Sequence, residues 1–525
     1  MKKGFTLIEL LAVIVILAII ALIATPLIMN VIDEAKRGSF ENSAYGIVRA
    51  AEITLATDIL SGNNNEVIIT YNNGQESSSN GKKLEYKGEK PKNGKIKINK
   101  NGEIAIVLHN GSHCAIKPYH LSKITVEKMD KKDCEFEKLI DDSGANAPIL
   151  VTGMTPIKWD GSEWVTTTVD DPEWYDYANK KWANVRTEDG SYWVWIPRYG
   201  YKITSCFHSN CSGGAGNIEI KFLIGTTNKA ADGSVVETSG YNFGTKDTST
   251  HYFLHPAFTF GNDEIPGFWV AKFEPSGSSS NINIVPNATS LRNMKIGEQF
   301  DAAFNMRNNS KYGWSSTEVD THMMKNTEWG AVAYLSKSEY GANEEIWINN
   351  SSTFITGCAG DSVSDGSYSG CQNAYNTATG QKASTTHNIY GVYDMSGGAY
   401  EYVAAYVDNG HSNLTTYGQS IINADIKYKD VYTIGASDSQ ANNYEANKNK
   451  YGDAVHETSS SYESSNSWYG DYSYMPFSSF PWFLRGGYYD DGADAGAFNF
   501  GSGNGNAFSY SSFRPVVAPL APSAP

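Results

Sequence analysis

An almost unbroken apolar run opens the chain, from Phe5 to Met29, and Glu9 is the only charged residue between Phe5 and Thr25. At about 1.5 Å per residue, that length predicts a helix able to cross a bilayer. Lys2 and Lys3 precede it, so the positive-inside rule puts the N-terminus in the cytoplasm and everything after Asn30 outside. A cleaved signal peptide has a shorter apolar region followed by small residues, whereas here the Gly stands before the run. A carboxylate inside hydrocarbon, Glu9, demands a partner. Pro26 is expected to bend or loosen the helix, because it removes a backbone donor. Beyond Ile32 the pattern turns amphipathic, with Phe40, Ala44, Ile47, Val48, Ala51, Leu55 and Ile59 forming one apolar stripe. Ser61-Gly62 ends it. Period-two alternation follows, predicting a strand at 67–71 and a hairpin over 95–107 that turns at Asn101-Gly102.

A second pattern begins near 150. All twelve Trp residues lie beyond it, from Trp159 to Trp482, and the polar stretch Asp141 to Pro148 precedes them. Aromatic and β-branched runs predict buried strands at Tyr192–Arg198 and Gly267–Glu274. Met323 to Leu335 has helical spacing, and a polar, Asn/Ser/Tyr-rich insert over roughly 405–480 reads as surface loops.

Composition narrows the function classes. Across 525 residues, 42 Lys+Arg against 57 Asp+Glu give a net charge of −15, with no cationic run to hold phosphates, so nucleic acid is excluded as a partner. An aromatic content of 13% excludes an intrinsically disordered chain. The six cysteines, in a chain read as extracellular, point first to disulfides. Six allow about 15 pairings, and sequence proximity favours Cys114–Cys134, Cys206–Cys211 and Cys358–Cys371. Cys206 and Cys211 flank His208, but a closed zinc site needs four ligands and no second pair is evident. His251 and His255 have the spacing of a helical ligand pair, yet Pro256 and the strand-like aromatic surroundings favour a structural role.

The stretch Lys3-Gly4-Phe5-Thr6-Leu7-Ile8-Glu9 resembles the type IV prepilin pattern of a short basic leader, Gly, then Phe-Thr-Leu-Ile-Glu. The resemblance implies cleavage after Gly4 by prepilin peptidase and methylation of the new terminus at Phe5. It also implies pairing of Glu9 with a neighbouring subunit's terminal amine during assembly. Residues 1–4 are then a leader peptide, 5–30 a transmembrane and assembly helix in the cytoplasmic membrane, and 31–140 the globular pilin module. The other pilin subunits are the implied partners, and the protein would pass from the membrane to the pilus or cell surface.

Three later segments, in order, resemble the formylglycine-generating-enzyme branch of the C-type lectin fold. They are Gly391-Val-Tyr-Asp-Met-Ser-Gly397-Gly-Ala-Tyr400-Glu401-Tyr, then Arg485-Gly486-Gly487-Tyr488, then Phe513-Arg514. The resemblance implies an α+β class throughout. An N-terminal transmembrane pilin helix with a small antiparallel sheet leads to a C-type-lectin-like domain at 265–525, after a linker at 141–158 and an aromatic-rich subdomain at 159–264. Enzymes of that branch use a reactive cysteine pair near the last motif, and none of the six cysteines falls between Arg485 and Arg514. Catalysis is therefore not expected. The family often holds calcium near its Gly-Asn-x-Trp-Glu segment. Glu401 keeps the carboxylate while Gly398 replaces the Asn, so calcium at Glu401 stays open and no other cofactor is expected.

Residues 488–512 use only Tyr, Asp, Gly, Ala, Phe, Asn and Ser. With no aliphatic side chain larger than Ala, they are not expected to form an ordinary core strand. This is also the vocabulary of antibody paratopes, in which Tyr supplies amphipathic contact area and Ser, Gly and Asn adapt their hydrogen bonds. The span 485–514 resembles the variable region of diversity-generating-retroelement target proteins, which use the same lectin-type scaffold; Tyr489 stands where that family has Trp. The resemblance implies diversified, ligand-facing positions at Tyr488, Asp490, Asp491, Asp494, Asn499, Ser502, Asn504, Asn506, Phe508 and Tyr510, with Tyr489 a further ligand-binding residue. The expected function is a pilin-like surface protein displaying a ligand-binding head for adhesion or recognition of an extracellular partner, expected to be a protein. The alternatives are a minor pilin adhesin of fixed specificity and an enzyme of the formylglycine-generating type.

Overall fold

The computed structural model describes residues 7–60, 67–98, 104–117, 124–134, 143–169, 171, 173–230 and 232–520. Within the first helix, side chains are described at Leu11, Val15, Ile16, Met29, residues 31–54 and Ala56. The chain divides into two compact units, Met1–Asp142 and Ser143–Pro525.

In the first unit one helix runs from Leu7 to Leu60, 54 residues without a break at Pro26. Among the described residues no helix is long and apolar enough to cross a membrane. The stretch expected to do so, 5–30, lies mostly outside them as regards side chains. Gly4 and Phe5 lie outside the described residues altogether, as does the side chain of Glu9. Leu11, Val15, Ile16, Met29, Val31 and Ile32 are exposed. From Phe40 the apolar stripe turns inward. Phe40, Ala44, Ile47, Val48 and Ala51 bury against Ile69, Ile96, Ile106 and Leu108 of a six-stranded antiparallel sheet. The predicted hairpin is its centre, Asn93–Ile98 paired with Ile104–His109, with Ile98 opposite Ile104. On the other face of the sheet, Cys114 and Cys134 pack with Ala105 and Val107 and are joined as a disulfide. Because that bond closes a loop of 20 residues, replacing both cysteines by serine is expected to destabilise this unit by about 3 kcal/mol. Denaturant unfolding followed by hydrogen exchange at strand Ile104–His109 checks this.

The second unit is built mainly of sheet, with few helices. Its seven-stranded sheet runs, edge to edge, Val319–Met323, Pro515–Pro519, Gly267–Ala271, Tyr192–Pro197, Asn184–Arg186, Thr155–Trp159 and Trp164–Thr166. Trp195 lies directly opposite Trp269 in the central antiparallel pair. The boundary drawn at 264/265 therefore does not divide the fold, because strands from both sides of it form one sheet. The described part of the span expected as a linker, 143–158, is packed framework too. The Trp195 indole donates to the Asn146 carbonyl at 3.1 Å, and that of Trp269 to Ile149 at 2.8 Å. Polar composition misled here, because these carbonyls serve as acceptors for buried indoles.

A second sheet carries the later motifs. Strand Tyr400–Asp408 lies between Asp430–Thr433 and Trp482–Gly486, and the latter pairs with Gly496–Gly503. Ser511–Phe513 pairs in parallel with the start of Tyr400–Asp408. The insert read as surface loops at 405–480 contributes the strand Asp430–Thr433 and the helices Ser412–Asn423 and Gln440–Ala446. It also buries Tyr444, Trp468 and Glu457. Likewise Gly496–Gly503 is a buried strand despite lacking large aliphatics. Phe498 and Phe500 fill the core, and Gly and Ala let neighbouring chains approach. The three disulfides join Cys114–Cys134, Cys206–Cys211 and Cys358–Cys371, the proximity pairing.

Candidate functional site

The motif residues converge on a buried frame. Arg514 donates to the carbonyls of Ala271 at 2.8 Å and Tyr393 at 3.0 Å. It also meets Glu401 through two contacts, Nε to Oε2 at 3.1 Å and Nη2 to Oε1. Burial lifts the Glu401 carboxyl above its ordinary value, and Arg514 works against that lift. With both oxygens engaged by Arg514, Glu401 is not arranged as a calcium ligand. Among the described residues no group of three or more His, Cys, Asp or Glu could hold a metal. Asp394 closes the other side, accepting from the Gly357 N–H and from Asn349 Nδ2, both at 2.8 Å. At Gly398 φ is +71°, and a Cβ would come within 2.5 Å of Glu274 Oε1. That close approach is the physical reason for Gly where the resembled family carries Asn.

The second frame arginine, Arg485, is fully buried and lies over the Trp329 ring, 5.7 Å from its centroid. It reaches the carbonyl of Ala454 at 3.3 Å, and burial pulls its pKa down to about 10. The Trp329 indole donates to Ala497 at 2.8 Å, and Asp471 Oδ2 accepts from the Phe498 N–H at 2.9 Å, so the strand Gly496–Gly503 is pinned at its start. Between the frame and that strand the chain turns sharply at Gly487. There φ is +73°, and a Cβ would sit 2.7 Å from the Ala495 Cα. Gly487→Ala is expected to cost about 1–3 kcal/mol, measured as a drop in the denaturation midpoint of the head.

Upon this frame part of the expected ligand-facing set comes together. Tyr488 stacks on Tyr400 with centroids 5.2 Å apart and meets Tyr489 edge-on at 5.0 Å. Tyr510 stands edge-on to Tyr400 at 6.2 Å and stacks on Phe508 at 5.0 Å. Asp490 is exposed beside them. Asp491 Oδ2 accepts from the Tyr488 N–H at 3.0 Å, and its carboxyl hydrogen-bonds the Tyr400 hydroxyl. Burial raises the pKa of both groups. Tyr510 is 37% exposed, while Tyr488, Tyr489 and Phe508 are half-buried, so each presents part of a ring to solvent.

The remaining positions lie elsewhere. Asn499, expected to face a ligand, is 1% exposed, and its Nδ2 donates inward to the Asp494 carbonyl at 2.8 Å. Both faces of its strand are covered, so alternation gives it no outward turn. The Asp494 carboxylate accepts from Ser465, and its carbonyl takes the Tyr472 N–H at 3.0 Å, which ties it to the insert. Ser502 is half-buried opposite Phe483. Asn504 Oδ1 accepts from the Asn506 N–H at 2.9 Å in a local turn, and Gly505 between them accepts from the N–H of Ile296 at 3.0 Å. Three residues of the patch were missed in the sequence. Tyr400 sits inside a motif read as framework. Phe354 meets Tyr489 edge-on at 5.0 Å, and Arg292 lies over Phe354; neither carries a local sequence signal.

Comparison with known proteins bears mostly on the N-terminus. Residues 1–25 match the prokaryotic N-terminal methylation motif. Prepilin peptidase-dependent protein A of Clostridium perfringens (strain 13 / Type A) is 40% identical over 73 residues, which are 14% of this chain. The chain spans about half the length of that relative, 52%. The start of the chain is thus prepilin-like. Among solved structures, Treponema denticola variable protein 1 aligns over 55% of this chain and 93% of its own, with 12% identity and a TM-score of 0.23. The Major Tropism Determinant P3c variant aligns over 78% and 82%, with 11% identity and a TM-score of 0.22.

Proposed function

We propose that this chain is a pilin-like surface protein whose second unit is a lectin-type receptor head, with its ligand contacted by a diversified patch around Tyr488 and Tyr510. The N-terminal motif supports processing by prepilin peptidase after Gly4, methylation at Phe5 and assembly with other pilins through Glu9. The protein would be anchored in the cytoplasmic membrane first and displayed at the surface afterwards. One observation carries the receptor reading. Partly exposed Tyr, Phe and Asp side chains, borne by the turns before and after the strand Gly496–Gly503, cluster together, while Arg485 and Arg514 hold the flanks of that segment from within. Such an arrangement lets the outer residues change without loss of the frame. The head binds rather than catalyses in this reading, and the pairing of all six cysteines in disulfides supports it.

The test is to sequence the 3′ end of the gene, with its flanking DNA, across many clones of one lineage. Substitutions confined to codons 488–512, at adenines of a nearby imperfect repeat, are the expected result. An invariant segment with no repeat and no reverse transcriptase gene nearby would refute diversification and leave a head of fixed specificity.

A further inference from the structure

The patch around Tyr400, Tyr488 and Tyr510 also carries a ligand chemistry. Aromatic faces present the negative side of their quadrupole to whatever lies over them. Two carboxylates flank these rings in sequence and space, Asp490, which is exposed, and Asp491, whose oxygen holds the Tyr488 N–H. The turn continues through Gly492, where a Cβ would lie 3.8 Å from the carbonyl of Ser364. The carboxylates of that loop, Asp361 and Asp365, are used within it, accepting from Asn373 Nδ2 and from the Asp361 N–H, both at 2.8 Å, while the chain as a whole carries a net charge of −15.

One cation of the chain already uses this chemistry at the rim. The Arg292 guanidinium lies 3.7 Å from the centroid of the Phe354 ring, which packs edge-on against Tyr489, and it donates to the Ser509 carbonyl. The seat formed by the Tyr488 and Tyr510 rings, with centroids 6.2 Å apart, and by the exposed Asp490 of the same turn offers the same partners, ring faces and an oxygen acceptor, to a group from outside. A cation over a Tyr face is held by the ring quadrupole, and more strongly once desolvated. An anionic glycan would meet repulsion from the exposed Asp490.

Resting on the receptor reading above, we propose that this patch captures a cationic side chain of a protein partner, a guanidinium or ammonium group seated over Tyr488 and Tyr510 and paired with Asp490. The seat residues Tyr488, Tyr510 and Asp490 lie within the segment expected to diversify, whereas Tyr400 and Phe354, which pack against Tyr488 and Tyr489, lie outside it.

The test uses the full chain in detergent micelles and three fluorescent peptides that differ only at two positions, filled by arginine, by its neutral isostere citrulline, or by glutamate. The arginine peptide should bind, and at least ~10-fold tighter than the citrulline peptide, in line with a charge-dependent ring contact. Its affinity should fall as salt rises. Asp490→Asn, at an exposed position, should weaken it about 3-fold or more, and Tyr510→Leu about 10-fold. Equal binding of the arginine and citrulline peptides, no binding of the arginine peptide, or preference for the glutamate peptide or for dextran sulfate would overturn the proposal. If dextran sulfate binds and a Tyr488→Ser, Tyr510→Ser double variant loses it, the ligand class fails while the receptor reading stands. Clonal invariance of codons 488–512 fails the diversified reading and leaves the ligand class to the peptides.

Discussion

Arg514→Ala is expected to lower the unfolding free energy of the head by about 3–5 kcal/mol, a large fraction of the roughly 5–15 kcal/mol that holds a domain folded. The guanidinium is fully buried and makes two contacts with Glu401, whose side chain is equally enclosed. It also supplies the donors for the carbonyls of Ala271, Tyr393 and Asp394. Removing it leaves a buried carboxyl without its cation and three acceptors without donors, while water cannot reach any of them. Arg514→Lys should recover only part of the loss, since one ammonium cannot reproduce the planar fork. Thermal unfolding of the full chain, followed by near-ultraviolet circular dichroism from the buried tryptophans, measures both variants. A midpoint unchanged by the alanine substitution would contradict this frame.

The second large effect lies at Glu457, inside the insert. This fully buried carboxyl accepts from the Tyr201 hydroxyl at 2.6 Å, the Tyr334 hydroxyl at 3.0 Å, the Tyr241 hydroxyl at 3.4 Å and the Gly452 N–H at 2.8 Å, and from Thr248. Glu457→Ala orphans those donors and opens a cavity, so a loss of about 3–5 kcal/mol is expected. Burial pushes the carboxyl up to about 7 from an ordinary value of 4.5. The folded state therefore holds a proton that the unfolded chain releases between those values. The stabilisation is complete below about pH 4.5 and is lost as pH rises through about 7, on the order of 3 kcal/mol in all. Glu457→Gln cannot titrate, so the wild type should lose stability relative to it between pH 5 and pH 8. Parallel stability curves for the two proteins over that range would show that Glu457 does not carry this proton.

What the sequence made legible follows from how local each signal is. Period-two alternation found the hairpin Asn93–Ile98 and Ile104–His109, and helical spacing found the inward stripe of Phe40 to Ala51. The Arg485-Gly-Gly and Phe513-Arg514 motifs marked the frame through the family resemblance they carry, and the structure buries both arginines. Glu457 was illegible. Its side-chain partners are Tyr201, Tyr241, Thr248 and Tyr334, some 120 to 260 residues away in the chain, and its own surroundings look like a polar loop. Asn499 was misplaced for a different reason. In a strand of Gly, Ala, Phe and Asn covered on both faces, composition does not say which side faces water. Arg292 and Phe354 reach the patch only through the fold, from loops whose sequence carries no pattern.

A changeable face on an unchangeable frame is tested most directly by a saturation scan of residues 485–514, sorted for folded protein with a conformation-sensitive antibody. Tyr488, Tyr489, Asp490, Phe508 and Tyr510 should accept most side chains, whereas Arg485, Gly487, Phe498, Asn499, Phe500, Phe513 and Arg514 should accept few. A scan in which Asn499 and Phe500 vary freely while Tyr488 and Tyr510 do not would contradict the account.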